Sequence, residues 1–374
     1  MTFTFELATE QDDADLRRLL ATNAMPGRIT VTFEREPDYF AGCATMGHFW
    51  QVLIGRHRPS GDLAAVLCRA TRPRYVNGQV EEVGYLGQLR VDRKYRGRWV
   101  LLHGLSALRE LHADGRVAAY LSAISDENRV ARGVLVDHPR PGFPTHHEVA
   151  RIYTLGIILR KQRVPWPSRR GRQIPVEIDR GSREALGEIV AFLRQHGAER
   201  QFYPAYTEAD FVDSPSTRGF QVRDFFVAHR EGEIVGLLGL WDQSAYKQSV
   251  VQSYHDYLRW LKPVYNVGSR LIGAQSLPAI GEHIRSAYAS FICVARDDLR
   301  VFRALLRHAY VLATERGYAY LMLGLAERDP LLPVAVEYPH ISYHSRLYTV
   351  CWEDARDFHE RLDGRVPYIE IAAL

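Results

Sequence analysis

Between Tyr85 and Leu102 the chain reads YLGQLRVDRKYRGRWVLL, a long apolar strand pattern that ends in a basic, glycine-containing turn and enters a helix. Strands and helices alternate on both sides of it, which puts the fold in the α/β (α+β) class. Such a turn exposes unpaired backbone N–H groups at the positive end of the helix dipole, a combination that binds phosphate or pyrophosphate without a catalytic side chain. Arg93, Lys94, Arg96 and Arg98 reinforce it, because charge-assisted hydrogen bonds to phosphate are roughly twice as strong as neutral ones. The bland alternative is a solvated basic turn that merely connects two elements.

A chain of 374 residues is long for one hydrophobic core, and two are expected. The seam falls where Arg160 to Arg172 carries six basic residues together with Pro165 and Pro167. Proline disfavours helix and removes backbone donors, so this stretch reads as an exposed connector. The expected division is residues 1–160, a linker at 161–173, and residues 174–374. Before the seam, Phe3 to Leu7 alternates as a strand, and Asp12 to Leu20 follows as a helix. Phe49 to Gly55 and Leu63 to Ala70 read as strands, and Asn77-Gly78 marks a tight hairpin into Val80 to Val91. A similar order returns after the seam, around Phe225 to His229, Ile234 to Leu240, Ser286 to Val294 and the helix Leu299 to Arg316. Gln243 to Pro278, rich in aromatics, reads as an insertion packed on a surface or over a cleft.

No apolar stretch approaches the eighteen or so residues of a membrane helix, and the first ten residues lack signal-peptide character; a cytoplasmic protein without a membrane partner is expected. Cys43, Cys68, Cys293 and Cys351 form no CxxC pair, which suggests neither zinc nor disulfides. A net charge of +4 favours anionic ligands weakly and falls short of a nucleic-acid footprint. RNA contact through Arg160 to Arg172 is the weakest reading considered. His146-His147-Glu148 lacks a third ligand at metal spacing and reads as a surface loop, so no metal is expected. Tyr338 to His344 also reads as a loop.

The order of strand, Val91-x-x-x-Tyr95-Arg96-Gly97-Arg98, helix, strand Val117 to Ile124, Glu127-Asn128-x-x-Ala131 and then Gly142-Phe143 resembles the acetyl-CoA-binding core of the GNAT acetyltransferase superfamily. The resemblance covers most of residues 1–160. It implies a mixed, mostly antiparallel splayed sheet flanked by helices, with acetyl-CoA or another acyl-CoA as co-substrate. The residues it brings to that cofactor are Leu89, Arg90 and Val91 on the strand, Arg96, Gly97, Arg98, Trp99, Val100 and Leu101 at the turn, and Asn128. Trp99 and Leu101 stand where the family has small residues, although the amides at 98 to 101 could still donate if those side chains point inward. The stretch Leu135 to His138 lacks the Tyr that the family often uses as general acid. The second half resembles the same superfamily more weakly. Its turn, Ala295 to Arg300, carries two carboxylates and no glycine, a poor pyrophosphate site in which Asp298 would cap the helix. It reads as a degenerate copy.

Transfer from a thioester to an amine needs a base, and Glu82 is the candidate, chosen because it shares strand parity with Gly84, Leu86 and Gln88. The expected protein is an acyltransferase that moves an acetyl or other acyl group from CoA to a small-molecule or peptide amine by direct attack, with no covalent intermediate. The rival is a non-catalytic acyl-CoA-binding or interaction module with a lapsed phosphate turn.

Overall fold

The computed structural model describes residues 2–25, 29–97, 99–138, 140–160, 176–255 and 277–374. The expected linker at 161–173, the stretch 256–276 and Arg98 lie outside the described residues. The first part of the chain supplies strands β1 (Phe3–Leu7), β2 (Ile29–Glu34), β3 (Phe49–His57), β4 (Leu63–Val76), β5 (Gln79–Val91), β6 (Ala119–Ser125) and β7 (Thr145–Ile158). The second part supplies β8 (Glu177–Arg180), β9 (Phe225–Arg230), β10 (Glu233–Trp241), β11 (Gln248–Tyr254), β12 (Ser286–Val294), β13 (Tyr320–Ala326) and β14 (His340–Cys351). Among the described residues twelve of these form one sheet in the order β1-β3-β4-β5-β6-β14-β7-β13-β12-β10-β9-β8, and β2 pairs with β11.

That order is palindromic. On one side β1, β3, β4 and β5 are antiparallel, β5 runs parallel to β6, and β14 pairs antiparallel with β6. On the other side β8, β9, β10 and β12 repeat the antiparallel run, β12 is parallel to β13, and β7 pairs antiparallel with β13. Each part thus gives its last strand to the other, and β14 and β7 pair at the centre. The hydrogen-bonded ladder runs straight across the expected seam, so a cut there would take from each part the strand that closes its sheet.

Local sequence explains the outer elements. Asn77 and Gly78 both have positive φ, 53° and 81°, the geometry a two-residue hairpin requires. The helix Asp13–Thr22 buries Leu16, Leu19 and Leu20, its apolar stripe. The central strands are different. His146-His147-Glu148 lies in β7 and His340 to His344 in β14, where loops were expected. These polar runs become strands because each satisfies the other's backbone donors and acceptors, a gain that does not depend on apolar side chains. The described part of the Gln243 to Pro278 insertion clasps the first half through β11 and β2, with Gln248 bonded to the Glu36 backbone at both its amide and its carbonyl, each at 2.9 Å.

Two helices occupy equivalent places after the parallel-pair strands and pack differently. Leu299–Glu315 buries seven residues, including Phe302, Leu305, Leu306 and Tyr310. Val100–His112 buries only Val100, Leu108 and His112. No described helix is long and apolar enough to cross a membrane.

Candidate functional site

The site begins where the first parallel pair stops. β5 and β6 pair only at Gly84 with Tyr120 and Tyr85 with Leu121, although β5 continues to Val91 and β6 to Ser125. The sheet therefore opens beyond Tyr85. Gly84 allows the closed end, since a Cβ there would collide with the Tyr120 ring. Buried Arg69 on β4 locks it, donating to both Asp114 carboxylate oxygens at 2.7 and 2.8 Å and to the Tyr120 hydroxyl at 2.9 Å.

Just inside the opening β5 carries a bulge. Gln88 has φ 56°, and the register slips between the Cys68–Gly87 and Val66–Arg90 pairs. An extra residue re-aims every side chain that follows it. Leu86 lines the opening before the bulge, and Leu89 and Val91 line it after. Arg90 packs its guanidinium against Met25, 3.9 Å from the sulfur, and is not among the lining residues. The parity that grouped Glu82 with Gln88 ends at this slip. Glu82 sits exposed toward the hairpin end of β5, accepts from Thr71 Oγ1 at 2.7 Å, and does not line the opening.

Between the opened strands and the Val100–His112 helix lies a cleft of about 630 Å³, counted to its open mouth. Leu86 and Leu89 form one wall, and Leu101, Leu105 and Leu108 of the helix another. Among the described residues, Ser122 and His146 bring the only polar side chains to this lining. The helix rides loosely over it, with residues 101 to 105 only half-buried.

The turn reaches the helix in a strained path. Asp92 caps a short 3-10 turn at Arg93–Tyr95, accepting from the Lys94 amide at 2.8 Å; Gly97 follows with φ 76° and Trp99 with φ 64°. A left-handed conformation costs a bulky residue about 1–2 kcal/mol. Trp99 makes no side-chain cap and its residue surface is 67% exposed, while Leu101 turns inward to the cleft. The exposed indole thus leaves the first amides of the helix without a side-chain cap. Arg96 donates to Asn23 Oδ1 at 2.9 Å and to the Val91 carbonyl at 3.2 Å, both neutral partners. Lys94 instead pairs with Asp62 at 2.6 Å. Asn128, exposed, caps the helix Arg129–Leu135 by accepting from the Ala131 amide at 3.1 Å; Leu135 at the end of that helix lines the cleft, and Asn128 does not.

The second half repeats the geometry and fills it. β12 and β13 pair from Ser286–Tyr320 to Tyr288–Met322 and then part, and Phe291, with φ 55°, lies three residues past Tyr288 as Gln88 lies three past Tyr85. The Phe291 amide donates to Glu370 Oε2 at 2.8 Å. That carboxylate also accepts from the Tyr368 hydroxyl at 2.7 Å and the Ala372 amide at 3.3 Å, and burial raises its pKa. Arg200, Tyr203 and Tyr368 line what space remains, about 350 Å³. As the sequence suggested, Asp298 caps the following helix, accepting from the Arg300 and Val301 amides at 2.9 and 3.4 Å.

Sequence reasoning missed two groups. One is His146, whose strand looked like a loop. The other is a buried cluster of Arg35, Cys43, Cys68 and Lys247, in which Arg35 Nη1 lies 3.0 Å from Cys43 Sγ. Burial acts to raise the Cys43 pKa, but the Cys68 thiol and the charges of Arg35 and Lys247 outweigh it and bring the value down to about 7. Scattered cysteines carry no signal of that meeting. Among the described residues no group of three His, Cys, Asp or Glu side chains is placed to hold a metal ion.

No family model matches the chain, and no curated protein matches it in sequence. Solved structures do resemble it. Saccharomyces cerevisiae N-myristoyltransferase with bound myristoyl-CoA is similar at TM-score 0.60 and 11% identity, over 93% of this chain and 82% of that one. A GCN5-related N-acetyltransferase from Sphaerobacter thermophilus matches at TM-score 0.54 and 12% identity, over 99% and 98% of the two chains. A probable N-acyltransferase from Enterococcus faecalis matches at TM-score 0.51 and 9% identity, over 96% of this chain and 74% of that one. The protein has the GNAT fold, in the two-part form of the myristoyltransferase.

Proposed function

We propose that the protein is an acyl-CoA-dependent N-acyltransferase whose reaction takes place at the opening between β5 and β6, with residues 1–160 supplying the acyl-CoA site and residues 174–374 a degenerate copy. Solved proteins of the same fold include an N-myristoyltransferase carrying myristoyl-CoA and GCN5-related N-acetyltransferases. The pyrophosphate would rest on the uncapped amides at the start of the Val100–His112 helix, with Arg96, whose partners at Asn23 and Val91 are neutral, supplying positive charge. The arm would then descend between Leu89 and Leu101 into the apolar cleft.

The observation that carries this reading is the bulge. In the second half the amide at this position donates to a carboxylate oxygen of Glu370. At Gln88 the same turn of backbone would offer an amide to the thioester carbonyl, where negative charge develops as the amine attacks. The nitrogen–carbon bond forms, the carbon–sulfur bond breaks, the CoA thiolate takes up a proton, and the attacking nitrogen gives one up. Positioning supplies most of the acceleration because the thioester is already activated. The reading does not rest on Glu82 as base.

Calorimetry with acetyl-, octanoyl- and myristoyl-CoA tests the first step, and mass spectrometry of a panel of small amines and peptides tests the second. Saturable binding followed by a mass gain on an acceptor is expected. No binding by any of the three overturns the reading, and binding without transfer to any amine favours a binding module.

A further inference from the structure

Trp99 stands where a small residue was expected, and the structure turns its side chain outward. The left-handed backbone at Gly97 and Trp99, φ 76° and 64°, carries the chain round so that Val100 is buried and Leu101 enters the cleft lining. The indole stays on the outer side of that turn. At 67% exposure Trp99 is the most exposed Phe, Tyr or Trp among the described residues. Its ring therefore gains little from packing within the chain, and glycine would take this backbone conformation without strain. What the ring does offer is an open flat face at a defined place.

That place selects the partner. The apolar cleft lies beside the same turn, with Val100 and Leu101 in its lining, and exposed Arg93 and Arg96 stand on the segment leading into it. A ligand with an apolar arm in the cleft and phosphates at the turn would carry any attached nucleoside out past residue 99. Nucleobases stack on aromatic side chains whatever their sequence identity, because every base has a π face.

We propose that the Trp99 indole stacks on the adenine ring of acyl-CoA, making the site selective for the nucleotide-bearing donor over the same acyl group on phosphopantetheine. The proposal rests on the functional reading above. The bulk at position 99 then serves recognition of the base, while the amides that follow it stay free for the phosphates.

The test uses the full-length protein labelled with 5-fluorotryptophan, the Trp99 resonance being identified by its loss in Trp99→Phe. Saturating octanoyl-CoA should move that resonance, and S-octanoyl-4′-phosphopantetheine, which has the arm and one phosphate but no base, should not. In calorimetry Trp99→Gly, which removes the ring without straining the turn, should weaken octanoyl-CoA binding by about tenfold and leave octanoyl-phosphopantetheine binding unchanged. Trp99→Phe should retain most of the affinity. A resonance unmoved by saturating octanoyl-CoA overturns the proposal while leaving the acyltransferase reading standing. So does an equal loss of both donors in Trp99→Gly, which would mark the indole as a support of the turn. Failure of the wild type to bind any acyl-CoA overturns both.

Discussion

The two helices that follow the parallel strand pairs are the same device set to opposite purposes. In the second half Asp298 caps the helix, Glu370 occupies the bulge amide, and seven buried residues seal the helix onto the sheet. In the first half the helix begins at an uncapped Trp99 and rides over an apolar cleft. Protein interiors are close-packed, so apolar space left open beneath an amphipathic helix is in keeping with the proposed acyl-CoA site. One copy is closed by its own chain, and the other is open to something brought in.

The largest expected effect tests the closed copy. Glu370→Ala should destabilise the protein by about 3–5 kcal/mol, because it strands the buried Phe291 amide and opens a void; chemical denaturation measures it. A loss below about 1 kcal/mol would mean that Glu370 is no plug. Next, Leu305→Trp should cost about 2–3 kcal/mol by overpacking a site with no room. The matching change in the open copy, Leu105→Trp, should shift stability by less than about 1 kcal/mol while filling the cleft and abolishing acyl-CoA binding. Equal penalties at the two positions would erase the distinction between the copies.

A third prediction concerns the contact that ties the two parts together. Asp210 of the second part meets His48 Nε2 of the first at 2.6 Å. Burial acts to raise the Asp210 pKa, but His48, Arg72 and the Thr207 amide outweigh it and lower the value from 3.8 to about 2. A carboxylate whose folded value lies below its unfolded value contributes stability that is present above about pH 4 and lost as the pH falls to about 2. Asp210→Asn should therefore cost about 2 kcal/mol at pH 7, with the gap to the wild type closing across that acid range in urea melts. A gap that stays constant from pH 5 to pH 2 would remove the electrostatic explanation. The smallest expected loss of stability among the closed-copy changes is at the cap: Asp298→Ala should lose about 1 kcal/mol, and thermal melts that show no change would weaken the contrast between the two helix starts.

What could be read in the sequence was local. The Asn77-Gly78 hairpin, the strand, turn and helix from Tyr85 to Leu102, and the Asp298 cap all follow from residues a few positions apart, and the structure has each of them. The bulge at Gln88 was hidden because a glutamine gives no warning of positive φ, and with it went the facing of Arg90 and the place of Gln88 in the parity set of Glu82, Gly84 and Leu86. His146 was hidden because a polar run gives no strand pattern when its pairing is driven by the backbone.

By itself the sequence determined that a basic turn would join a central strand to a helix, and that the second copy of this turn would be closed by a carboxylate, because capping, dipole and turn chemistry act over a few residues. Tertiary structure alone decided that β7 and β14 would change places, that the sheet would open past Tyr85, and that a histidine from one strand would face leucines from a helix across an open cleft. Backbone hydrogen bonding between distant strands is nearly blind to side-chain identity, so which strands meet is settled only when the whole chain packs.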